Sequence, residues 1–176
     1  MKTVPIVQAA ILPAVKSSRM FHYLSEPEII VLLGACEQTM FGRDERIITE
    51  KEPGDCLYLI VDGNVRVSVA EQGREVYICT LGAGEVFGEA GLFLNLKRTA
   101  NVAAAEDSTT VLRIKRAEFM RFIREHPGAG IKVLFMIIYS LLAKLREANL
   151  ELAFERRDDI EQGDIDDLLR DFLDQK

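Results

Sequence analysis

The sequence has no tryptophan, two histidines and three cysteines among its 176 residues. Cys36, Cys56 and Cys79 stand far apart and form no CxxC pair, and neither His22 nor His126 lies in a cluster with them. That leaves little from which to build a zinc or iron–sulfur site. A sparse, odd cysteine count fits a reducing compartment, and a cytoplasmic location is expected. No nucleophile–base set is evident either, so catalysis is not expected. Basic charge is also short: 22 Lys and Arg face 28 Asp and Glu, a formal net charge of −6. This argues against a general hold on DNA or RNA, where a basic face supplies most of the affinity. It does not argue against a small anion, which needs only a local positive site. No run reaches the roughly 20 apolar residues that span a bilayer, so no membrane contact is expected. Residues 4–15 make a poor export signal: Pro5, Gln8 and Pro13 interrupt them, and Lys16 and Arg19 follow where a small-residue cleavage site would stand.

What is present is enough apolar residue, 48% of the chain, to build a core. Residues 1–19 form an extension without a clear pattern. Met20, Phe21 and Leu24 recur at helical spacing. Ser25-Glu26-Pro27-Glu28 then starts a fresh helix, with Ser25 as N-cap and Glu28 as its capping-box partner. Ile29, Leu32, Leu33 and Cys36 give that helix an apolar face.

The period changes next. Ile47-Ile48, residues 57–61, 65–69, 76–78 and 110–114 are short and rich in β-branched residues. Pro53-Gly54-Asp55, Asp62-Gly63-Asn64, Gln72-Gly73 and Gly82-Ala83-Gly84 punctuate them as turns. The pattern predicts a mainly β fold with flanking helices, a small antiparallel jelly roll or barrel. A helical segment interrupts the series once, between Val86 and Val102.

After Lys115 the chain turns helical again. A short helix covers residues 117–125, and His126-Pro127-Gly128 stops it. A long helix is predicted over about 130–154, with Ile131, Leu134, Ile138, Leu141, Leu145, Ala148 and Leu152 as an a/d seam. Val133, Met136, Ile137 and Ser140 lie on another face. One face can pack on the barrel while the other meets a second copy, giving a homodimer; the competing arrangement buries one wide apolar face within a monomer. Residues 155–176 form an acidic tail. Arg156-Arg157-Asp158-Asp159 is expected as a solvated link, and Asp164 as the cap of an amphipathic helix bearing Ile165, Leu168, Leu169, Phe172 and Leu173. That helix either folds back on the domain or docks another protein.

The interruption carries the chemistry. Glu89 and Arg98 stand nine residues apart, each beside small residues: Gly88, Ala90 and Gly91 near the acid, Thr99 and Ala100 after the base. A cyclic nucleotide needs this combination: an acceptor for its ribose hydroxyl, and a guanidinium with backbone N–H groups for its compact phosphate. Phe87-Gly88-Glu89 with Arg98-Thr99-Ala100 at this spacing resembles the cyclic-nucleotide-binding domain, the family shared by the catabolite activator protein, kinase regulatory subunits and nucleotide-gated channels. Supporting segments are residues 53–60, the Gly63-Asn64-Val65 turn and Ala83-Gly84-Glu85. The resemblance covers roughly residues 20–154.

The resemblance implies cyclic AMP or cyclic GMP as ligand and no other cofactor or metal. Glu89 accepts from the ribose 2′-hydroxyl, and Arg98 pairs with a phosphate oxygen. Gly88 admits the close approach, and Ala90, Thr99 and Ala100 complete the anion site. Val76, Ile78 and Val86 are expected along the base, and Lys144, Leu145 and Arg146 belong to the segment expected to cap it. The Thr99 hydroxyl can serve either the phosphate or a syn guanine, so the base stays open. Gly54, Gly63 and Gly73 are expected to serve turn geometry only. Two departures stand out: Asp44 and Lys51 occupy positions where the family commonly has glycine. Only 22 residues follow Phe154, too few for a three-helix DNA reader, so the expected output is a helix rearrangement read by an effector protein. The rival expectation is a scaffold for assembly whose Glu89 and Arg98 no longer bind ligand.

Overall fold

The computed structural model describes residues 2–4, 8–17, 21–93 and 97–173, and only the backbone for 2–4, 8–10, 14, 17 and 155–173. The chain divides into two compact units, Met1–Ile137 and Ile138–Lys176.

The first unit holds two antiparallel sheets. In chain order the strands are β1 (Lys2–Val4), β2 (Glu37–Phe41), β3 (Arg46–Ile48), β4 (Cys56–Asp62), β5 (Val65–Glu71), β6 (Arg74–Leu81), β7 (Val86–Phe87), β8 (Asn101–Ala104) and β9 (Thr109–Lys115). One sheet runs β1-β2-β9-β4-β7 and the other β3-β8-β5-β6. Helices α1 (Gln8–Ser17), α2 (Glu26–Gly34), α3 (Glu89–Phe93), α4 (Arg116–Glu125) and α5 (Pro127–Leu173) flank them.

The near-continuous apolar run of β4 follows from burial on both faces. Cys56, Tyr58 and Ile60 point into the space between the sheets with Phe41, Val65, Phe87, Val102 and Val111. Leu57 and Leu59 point the other way, with Leu112 and Ile114, into a core closed by Ile11, Val15, Ile29, Leu33, Phe119, Phe122, Val133 and Ile137 of the helices. Period-two alternation thus builds two cores on opposite faces of one sheet.

Several expectations are met and several change. Ser25 caps α2, and Glu28 completes the capping box, accepting from Ser25 N at 2.7 Å. The Gln72-Gly73 turn joins β5 to β6 with positive φ at both residues, the geometry of a two-residue hairpin loop. Cys36 lies past the end of α2, not on it. Phe21 to Leu24 form a turn, closed by Leu24 N donating to Phe21 O at 2.9 Å, where a helix is expected; Met20 lies outside the described residues. The N-terminal extension supplies α1 and a strand paired with β2. α5 does not end near Phe154 but runs 47 residues to Leu173, so the expected link at Arg156-Asp159 is helical and Asp164 lies inside a helix.

Within the first unit, α5 shows two faces. Ala129, Val133 and Ile137 are buried, whereas Ile131 and Phe135 are exposed. Lys132 Nζ reaches both Glu28 oxygens at 2.8 and 2.9 Å, tying this helix to the α2 cap. By length and composition alone, Pro127–Phe154 would suffice to cross a membrane. Its first turns are instead committed to the domain core.

Candidate functional site

The site is assembled around the Arg98 side chain by glycines. A Cβ on Gly54 would lie 1.9 Å from Arg98 Nε, one on Gly91 2.6 Å from Nη1, and one on Gly88 2.9 Å from Nη1. No real Cβ makes such contacts, so all three positions must be bare for the guanidinium to lie where it does. Gly88 also has φ +79°, which glycine adopts at no steric cost. The expectation for Gly54 is corrected: it is an approach surface for Arg98, not merely a turn residue, and its φ is not in the left-handed region. Gly91, legible in the sequence only as a small residue beside Glu89, is part of the same cradle.

Main-chain carbonyls fix the guanidinium. Nη1 donates to Gly88 O at 3.1 Å and Nη2 to Cys56 O at 3.0 Å. Gly88 O also accepts from Gly91 N at 3.1 Å, which closes the entrance to α3. Arg98 Cζ lies 5.9 Å from the Tyr58 ring centroid, and Tyr58 stacks on Phe87 at 5.0 Å with 7° between planes. Burial raises the Tyr58 hydroxyl pKa above its usual value. Burial and the Asp55 carboxylate push the Cys56 thiol up to about 11, so it stays a neutral thiol beside the cation.

The Arg98 backbone is held as firmly. Lys51 N donates to Arg98 O at 2.8 Å, and Arg98 N donates to Glu52 O at 2.9 Å. Lys51 has φ 67° and Asp44 φ 63°. The two residues that replace the family's usual glycines therefore keep the left-handed backbone those glycines would take, at a cost of roughly 1–2 kcal/mol each. The turn shape survives the departure in sequence.

Glu89 opens α3 and is 8% exposed, a buried carboxylate beside the same cradle. Arg116 stiffens α3 from below: its Nη2 donates to Gly91 O at 2.6 Å and its backbone N to Asp55 O at 2.7 Å. Nothing in the local sequence marks Arg116, because its role depends on Gly91 and Asp55 being brought to it. Lys97 and Thr99 are exposed, Arg98 and Ala100 half-buried, and Ala90 exposed. Leu94 to Leu96 lie outside the described residues.

The sheet register fixes the other end. Asn101 pairs with Ser68, and Ser68 with Tyr77, so the residues after Arg98 and those of β6 share one row. Two strand spacings, about 10 Å, separate them. The register shifts between Val67 and Ser68, leaving Ile78 as the extra residue of a bulge opposite. Val76 and Ile78 are 40% and 50% exposed, on the edge strand of the sheet. Val86 does not join them. It is 1% exposed in the helix-side core, because alternation in β7 sends Phe87 inward and Val86 outward. Lys144, Leu145 and Arg146 lie in the second unit.

The family model described as cyclic nucleotide-binding domain matches residues 38–126. The chain is 32% identical over 138 residues to the cyclic AMP receptor protein of Thermus thermophilus, covering 78% of this chain and 62% of that one. It is 33% identical over 126 residues to a cGMP-dependent protein kinase, isozyme 2, of Drosophila melanogaster, covering 70% of this chain and 14% of the kinase. The chain thus spans less than two thirds of either relative. The crystal structure of a cyclic nucleotide-binding domain from Methylobacillus flagellatus superposes with a TM-score of 0.70 at 28% identity, covering 79% of this chain and 78% of the other. With the jelly roll, the glycine cradle and the Glu89–Arg98 spacing in place, the chain belongs to the cyclic nucleotide-binding domain family.

Proposed function

We propose that the cradle binds cyclic AMP or cyclic GMP and that the chain is a sensor reporting occupancy to an effector protein in the cytoplasm. The carrying observation is the fixed Arg98 guanidinium, held by Gly88 O and Cys56 O within reach of a phosphate between β4, α3 and β8. Glu89 takes the ribose hydroxyl, and Thr99 and Ala100 add donors to the phosphate. Val76 and Ile78 flank the base, and Lys144, Leu145 and Arg146 are the segment proposed to cover it.

The second copy expected along α5 is part of the same reading. Ile131, Ile138 and Leu145 are 54%, 52% and 57% exposed, while Leu134 packs against the core of the first unit; the exposed positions fit a homodimer. The relatives by name include a receptor and a kinase, and the regulatory role is what they share; no chemistry is assigned to this chain.

Titration calorimetry with cyclic AMP and cyclic GMP on the full chain tests the proposal. Binding of at least one nucleotide is expected, with Arg98→Ala weakening it by about 2–5 kcal/mol, as for removal of one partner of a buried charge pair. No heat and no thermal shift at millimolar nucleotide would leave a scaffold that assembles through α5.

A further inference from the structure

Arg113 is a largely buried cation outside the Arg98 cradle. Strand register sets it in one row across four strands: Glu37 of β2 pairs with Arg113 of β9, Arg113 with Tyr58 of β4, and Tyr58 with Phe87 of β7. Alternation puts this row on the face shared with Phe41, Ile60 and Val111, between the two sheets. Directly opposed residues on one face bring their Cβ atoms to about 5 Å, close enough for the side chains to act on one another. The row starts near the surface and ends at the cradle. The Glu37 side chain is 43% exposed and that of Arg113 26%, whereas Tyr58 and Phe87 are buried. Phe87 precedes Gly88, whose carbonyl holds Arg98 Nη1 at 3.1 Å. Tyr58 lies two residues after Cys56, whose carbonyl holds Nη2 at 3.0 Å. Both carbonyl anchors of Arg98, and the ring it lies over, are therefore set by the last two strands of the row.

Arg113 Nη2 donates to Glu37, and the other Glu37 oxygen lies 3.4 Å from Lys115 Nζ. Arg113 Nε is buried and has no hydrogen-bond partner among the described residues. A partly exposed ion pair contributes little to stability, and a buried unpaired donor costs some. The arrangement is thus a poor stabilising device. It does confine Tyr58, which has Arg113 beside it on one strand and Phe87 stacked at 5.0 Å on the other. Burial raises the Tyr58 hydroxyl pKa, and the charges of Arg98 and Arg113 both act against that rise. A phenol that feels both guanidinium groups cannot shift without disturbing Arg98, whose Cζ lies 5.9 Å from the ring centroid. We propose that Arg113 is a positioning residue for the cyclic phosphate: it acts through Tyr58 on the Arg98 guanidinium, and Glu37 orients it from the surface. This rests on the reading of the cradle as a nucleotide site.

The test is calorimetry with cyclic AMP and cyclic GMP on the full chain, beside urea unfolding of the same samples. Arg113→Met keeps an unbranched side chain and removes the charge; Tyr58→Phe keeps the ring and removes the hydroxyl. Each is expected to weaken nucleotide binding about three- to tenfold, and the double variant no more than either alone, because both lie on one route to Arg98. Arg113→Lys, which retains the charge, should bind more tightly than Arg113→Met. A residue with a structural role alone would lower the urea midpoint and leave the affinity of the folded protein unchanged. Binding within about twofold of the parent by either single variant, losses that multiply in the double variant, or no recovery in Arg113→Lys overturns the proposal. The parent keeps the two readings apart: nucleotide bound equally by the parent and Arg113→Met sinks only the positioning role, whereas no nucleotide bound by the parent sinks both.

Discussion

Adding one methyl group at Gly54 should weaken nucleotide binding at least about 30-fold while leaving the fold standing. In Gly54→Ala the new Cβ would lie 1.9 Å from Arg98 Nε and 2.4 Å from Cζ. The backbone at residue 54 tolerates alanine, so the only conflict is with a movable side chain, and the guanidinium must leave. The carbonyls of Gly88 and Cys56 then lose a charged donor, at about 1–3 kcal/mol for acceptors left behind. The alanine returns about 0.4–1 kcal/mol by restricting the unfolded chain. The net loss of stability is about 1–2 kcal/mol, readable as a modest shift in a urea midpoint. The effect on ligand is larger, because the phosphate loses its counter-charge: about 2–5 kcal/mol. At 1.4 kcal/mol per tenfold, that is about 30-fold at the low end and above about 1000-fold at the high end. Calorimetry and urea unfolding on the same preparation separate the two effects. If Gly54→Ala bound nucleotide within about threefold of the parent, the Arg98 cradle would not be the phosphate site.

Lys51→Gly should raise stability by about 0.5–1 kcal/mol in urea unfolding, since it releases the left-handed strain at φ 67° and returns part of that through the unfolded chain; a loss of stability would show that the Lys51 side chain matters more than its backbone. Arg116→Ala should weaken nucleotide binding about tenfold, by freeing the Gly91 carbonyl and loosening α3, with little change in the circular dichroism of the sheets. Glu28 is held at about 2 by its bonds to Lys132 and Ser25. Its folded pKa is depressed, so its contribution is present above the ordinary carboxylate range and is lost as pH falls from about 4.5 toward 2. Glu28→Gln should flatten the stability–pH curve in that window and leave it parallel above; an unchanged acid limb would refute the linkage.

The capping box at Ser25 and Glu28, strands β3 to β6 and β9, and the break at His126 are legible because each is specified locally, by a cap, by β-branched runs or by proline. β2 is not. Glu37 to Phe41 is a polar stretch made a strand by its partners, with Arg113 on β9 paired to Glu37. β7 and β8 are short and gain their identity from their partners, β4 for β7 and β3 and β5 for β8. The sequence pattern ends α5 near Phe154, because Arg156-Asp159 has the composition of a link, although charged residues also sustain exposed helix. Within the site, Glu89, Arg98 and Gly88 are visible by type and spacing. Gly54 and Arg116 are not, because their work is done against residues far away in the chain, and Gly91 is visible only as a small residue beside the acid.

That distance has a kinetic consequence. Arg98 finds its carbonyl at Cys56 across 42 residues of sequence, and the amide of Arg116 closes on Asp55 across the same core. Contacts of such separation cannot form until the strands between them have docked, and such topologies close late and slowly. A nascent or partly folded chain therefore has Glu89 and Arg98 but no place to put a phosphate. Ligand added during refolding should leave the folding rate alone and act on the unfolding rate.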